Sequence, residues 1–147
     1  MVKSKIDIGA WFILCLGIYT TVVSILWIFV TDIMFVSDFA AYTGTTYNSY
    51  LNSDRFFAEI YIITKKLIGF ILLAIGLIII MINQFAYRKG EKWSWFALLI
   101  AGGISWGTFI GYKIMIGYIG TSMITFALGT ALLLVGLLIP IKELFGK

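Results

Sequence analysis

The 49 residues between Lys92 and Lys142 carry one charge, Lys113. Soluble chains average about one charged residue in four. A stretch this long and this apolar cannot be kept in water, and the rest of the chain agrees. Of its 147 residues, 61% are hydrophobic and 12% charged. One domain of this size has no interior large enough to hide that much apolar surface, so a bilayer must take up much of it.

Four apolar runs are long enough to cross a hydrocarbon core of about 30 Å, which takes about 20 helical residues. They fall at about 8–30, 67–87, 93–112 and 118–140. Lys3 and Lys5 ahead of the first run would also suit a secretory signal. The run is too long for that, and no A-x-A cleavage site follows, so the first span is expected to be retained. Pro140 marks the end of the fourth span. The fold class expected is all-α: a single four-span domain over 1–147, an integral membrane four-helix bundle.

Residues 37–53 read as a polar, aromatic connection, since Thr43-Gly44-Thr45-Thr46 and Asn48-Ser49 suit loops and turns. A helix is expected to start at Ser53 or Asp54, with Arg55 and Glu59 paired four residues apart. It runs unbroken into the second span. From Asp54 to Tyr87 it would measure about 50 Å, longer than the bilayer core. Its first part, to Lys66, should project or lie at the interface, with Glu59, Lys65 and Lys66 on a solvated or head-group face.

Basic residues set the orientation. Lys3, Lys5, Arg88, Lys89, Lys92, Lys142 and Lys147 lie on one side, and Arg55, Lys65, Lys66 and Lys113 on the other. The richer side should be cytoplasmic, which puts both termini on the cytoplasmic side of a cell membrane. Trp11, Tyr87, Trp93 and Trp95 would form the inner aromatic belt, and Trp27, Tyr112 and Tyr118 the outer. Arg88, Lys89, Lys92 and Trp93 would anchor the junction between the second and third spans. The net charge of +4 thus reads as topology and lipid contact, not as a nucleic-acid surface.

Leucine gains little by leaving lipid for another helix, so spans should meet through small residues. The third span lines up Gly103, Gly107 and Gly111, a slanted row suited to a right-handed crossing, with Gly102 on another face. Leu98, Trp106 and Phe109 are assigned to lipid. Gly69, Gly76 and Asn83 mark the second span, and Gly129 and Gly136 the fourth. Thr20, Ser24, Ser105, Thr108, Ser122 and Thr125 are the alternative: hydroxyls lining a narrow cavity.

Chemistry-bearing clusters are scarce. There is no histidine and one cysteine, Cys15, inside an apolar run. Haem and copper sites prefer histidine, and no cofactor or metal is expected. No charge lies near a span centre. Asp32 reads as interfacial and Lys113 as a hairpin marker. The small multidrug transporters also have four spans, but they rely on an embedded glutamate that this chain lacks.

The junction Tyr87-Arg88-Lys89-Gly90-Glu91-Lys92-Trp93, with Thr43-Gly44 and Leu138-Ile139-Pro140, resembles small four-span membrane proteins of bacteria and archaea that have no assigned function. The resemblance implies the topology and no activity. Three functions remain in order of support. The first is a non-enzymatic accessory subunit, packing with copies of itself or a larger membrane complex. The second is a carrier or channel for a small or apolar solute. The third is a lipid-acting enzyme using Asp38, Asp54 or Glu59. Membrane lipids are the other expected partners.

The orientation is tested with single cysteines at positions 47 and 89 in a Cys15→Ala background. An impermeant thiol reagent should label 47 but not 89 in intact cells; the opposite pattern would invert the topology.

Overall fold

The computed structural model describes residues 4–117 and 122–146. Lys3, Lys147, Tyr118 and the first residues of the fourth span, 118–121, lie outside them, as does the side chain of Asp32.

The described chain is helical throughout, with no strand. Helix α1 spans Lys5–Phe29, and Ser4 caps it by accepting the Asp7 amide. Two short helices follow, α2 (Thr31–Met34) and α3 (Val36–Thr43). Gly44, at φ 73°, ends α3 in the left-handed conformation that glycine adopts without strain. Thr46 then caps α4, Tyr47–Ser53, through the Ser49 amide. The connection read as loop is therefore mostly helix. Its hydroxyl residues act as caps, which a turn-rich composition does not distinguish from loop.

Asp54 caps α5, Arg55–Phe85, by accepting the Phe57 amide. Arg55 meets Glu59 at 2.6 Å. At 31 residues, α5 is about 46 Å long. A short 3-10 turn, Tyr87–Lys89, leads to α6 (Lys92–Met115), α7 (Ser122–Leu138) and α8 (Ile141–Phe145). Pro140 stands at the break between the last two. Four helical stretches are long and apolar enough to cross a membrane: Lys5–Phe29, Arg55–Lys89, Lys92–Met115 and Ser122–Phe145.

The long helices pack in a ring, α1 against α5 and α7, and α6 against α5 and α7. Both chain ends meet: the Lys5 amide donates to Glu143 at 2.8 Å. The 3-10 turn lies at the same end, where Tyr87 donates to the Gly136 carbonyl at 2.7 Å. Arg88, Lys89, Lys92 and Trp93 project from this end, exposed. Helices α3 and α4 lie against the opposite end, around the buried ring of Phe39.

Close approaches are made by glycine facing bulk. A Cβ at Gly76 would stand 2.7 Å from the Thr21 hydroxyl, and one at Gly69 3.0 Å from Ile28. At Gly136 it would meet Ile13 at 2.7 Å, and at Gly129 the Trp106 ring at 2.5 Å. Gly103, Gly107 and Gly111 make no such seam among the described residues, where a Cβ at any of them would meet nothing within 4 Å. Gly102 packs instead: a Cβ there would stand 2.6 Å from Leu133. Leu98 and Trp106, assigned to lipid by sequence, are 0% and 1% exposed. Their face carries the bulk that fills the hollows at Gly129 and between the helices. Trp27 and Tyr87 leave the expected belts for the core. Trp27 packs edge-on against Phe35 and Phe109. Cys15 faces outward.

Replacing Gly102 or Gly129 with leucine should lower thermal stability by about 1–3 kcal/mol through overpacking. Gly107→Leu should stay within about 0.5 kcal/mol in a monomeric preparation. Melting curves of the three variants check the ranking, and a larger loss at Gly107 would contradict it.

Candidate functional site

Buried charge is the least expected content of so apolar a chain, and it gathers where α3 meets α5 and α6. Asp38 on α3 and Lys113 near the end of α6 form an ion pair, their side chains 2% and 0% exposed. Sequence reading placed Asp38 in an outer loop and Lys113 at the hairpin between the third and fourth spans. The folded chain instead brings them together across 75 positions, because an uncompensated charge in this interior costs several kcal/mol.

Lys65 belongs to the same cluster. It is 8% exposed, whereas Lys66 beside it is half-buried. The Lys65 ammonium donates to the Tyr112 hydroxyl at 3.0 Å. It also lies 4.2 Å from the Tyr112 ring centre, 5.0 Å from Phe35 and 5.2 Å from Tyr61. Aromatic faces offset part of a cation's desolvation. The expected solvated face for Lys65 is therefore wrong. Residues 58, 62, 65, 69, 72, 76, 79 and 83 of α5 are all buried, in alternating steps of four and three. Lys65 sits on that inward seam.

Two clefts meet at Lys65 and Tyr112, which line both. One, of about 460 Å³, lies between α3, α5 and the end of α6 and is bordered by Asp38, Thr43, Tyr61 and Thr64. The other, of about 390 Å³, runs between α5 and α6 past Ile68, Ile71, Leu72, Ile75, Ile104 and Phe109. Ile71 and Ile104 are exposed, so this cleft opens sideways between the helices.

Of the hydroxyls expected to line a cavity, Ser105 and Thr108 border the α5–α6 cleft. Ser122 and Thr125 border a third cleft, near Trp27 and Phe35. Thr20 and Ser24 are wholly buried and line none of the three. Ser105 and Thr108 donate to the carbonyls of Ala101 and Ile104 on their own helix. That is the usual fate of a hydroxyl in an apolar helix, and it leaves the groove's hydroxyl protons engaged. Asp54 and Glu59 lie apart from the cluster, serving as a helix cap and an ion-pair partner.

Within the cluster the Asp38 carboxylate is held by Lys113. What the cluster offers is a buried positive centre where the apolar groove meets the other cleft. Compared with known families, with curated proteins and with solved structures, the chain finds no match.

Asp38→Leu or Lys113→Met alone should cost about 3–5 kcal/mol, because each strands a buried charge. The double variant should recover most of that loss. Unfolding in a fixed detergent measures the cycle, and a double variant as unstable as either single would refute the charge-based account.

Proposed function

We propose that this chain is a multi-pass protein of the cell membrane, with its termini and the Arg88–Lys92 junction in the cytoplasm. It acts without catalysis, receiving a small amphipathic solute from the outer leaflet into the paired clefts. The count of basic residues on each side supports the orientation. The solute reading, a carrier or binding role, is carried by one observation: a groove that opens sideways between α5 and α6 yet ends on the buried Lys65 ammonium. Buried ionisable groups in membrane helices mark function more often than packing, and both clefts fall in the size range of small-molecule sites.

An accessory-subunit role is the second reading, favoured by the row Gly103, Gly107 and Gly111. A Cβ built at any of the three meets nothing within 4 Å among the described residues. A neighbouring span, from a second copy or a larger complex, would fit such a row.

Extraction of the protein in a patch of native membrane, followed by mass spectrometry of everything bound, separates the two. The solute reading expects a stoichiometric amphipathic molecule that Ile71→Trp, which fills the groove, displaces. Recovery of a protein partner instead, lost on Gly107→Leu, would replace it with the accessory reading.

A further inference from the structure

The geometry points to a single-chain anionic amphiphile as the occupant of the paired clefts, with its oxyanion on Lys65 and its acyl chain between α5 and α6. This rests on the solute reading above and names the chemical class of the solute.

Charge complementarity carries the head. The cluster holds two ammonium groups and one carboxylate among the described residues. Lys113 takes the carboxylate. Lys65 has a phenol hydroxyl and three ring faces, and no carboxylate of the described residues within 4 Å. An ammonium has three N–H donors, and the bond to Tyr112 uses one. A carboxylate or phosphate oxygen reaching Lys65 along the cleft would satisfy the remaining donors and balance the surplus charge. A cationic head would meet two like charges there. A neutral head would leave the surplus positive charge of the cluster in place.

The groove carries the tail. From Lys65 to Ile75 its α5 wall advances ten residues, about 15 Å. That is half of a hydrocarbon core of about 30 Å, the depth one leaflet's chain occupies. The walls are isoleucine, leucine and phenylalanine, and the hydroxyls of Ser105 and Thr108 are already donated to backbone. The slot offers a ligand no free serine or threonine proton, and along its isoleucine, leucine and phenylalanine walls a hydrocarbon chain replaces like with like.

The test uses full-length protein in phosphatidylcholine nanodiscs. Oleate, a monoacyl phosphate and oleyl alcohol, with matched chains, are titrated as probes. At least one anion should bind about tenfold more tightly than the alcohol, the worth of one charge-assisted contact. The better of the two anions identifies the head. Lys65→Met keeps the apolar stem and should erase the preference while leaving alcohol binding in place. Lys65→Arg should retain the preference. Ile71→Trp should weaken anions and alcohol together. Equal binding of anions and alcohol by the wild-type protein overturns the anionic class and leaves the solute reading standing. A preference that survives in Lys65→Met overturns the role of Lys65. Absence of saturable binding by any probe overturns both the inference and the reading beneath it.

Discussion

Helices packed through small residues hold together where their backbones come close. Helices α1 and α5 do this over most of their length. Gly17 and Gly76 lie at one close approach, and Gly69 fits against Trp27 and Ile28 at another. The contact follows steps of four and three along α5, a spacing that keeps one face turned to its neighbour. It fixes which side of α5 looks inward. That choice carries Lys65 into the interior, turns Asn83 inward at the far end, and leaves Ile71 and Ile78 outside.

The remaining contacts are complementary in size. Trp106 fills the hollow at Gly129, and Leu133 the one at Gly102. Trp27 then bridges α1 to Phe35, Phe109 and Phe126. Such matching gives dispersion contacts, each small and together large. It is looser between α5 and α6, where the groove opens. The site thus lies where the ring of helices is least tightly closed and where the buried charges gather.

Hydropathy and caps made much of this architecture legible from sequence. The four apolar runs, the Asp54 cap, the Arg55–Glu59 pair and the Pro140 break all fall where the residues place them. The inward faces were harder to read. In helices that are apolar on nearly every side, the polar–apolar contrast that marks a buried face is lost, and Trp106 or Leu98 can turn either way. Three glycines in a row on α6 outnumber Gly102. What decides is the bulk on the opposing helix, which no single helix records. Lys65 was more accessible: the seven-residue stripe of Gly69, Gly76 and Asn83, continued back one turn, runs through it. The Asp38–Lys113 pair left only a hint, a lone cation in a long uncharged stretch with few acids to meet it.

That pair also bears on the order in which the chain assembles. Its partners are separated by 75 positions, with the whole of α5 between them. A contact closing so long a loop forms only after the intervening chain has been arranged. Until α6 is in place, Asp38 and Lys113 each need water or polar head groups to hold their charge. Neither can enter the interior alone without the penalty of an unpaired ion. The α1–α5 seam needs only the first half of the chain and can form early, while burial of the ion pair reports that α6 has arrived in register. A mispositioned α6 leaves two charges stranded, so burial of the pair is tied to the correct placement of α6.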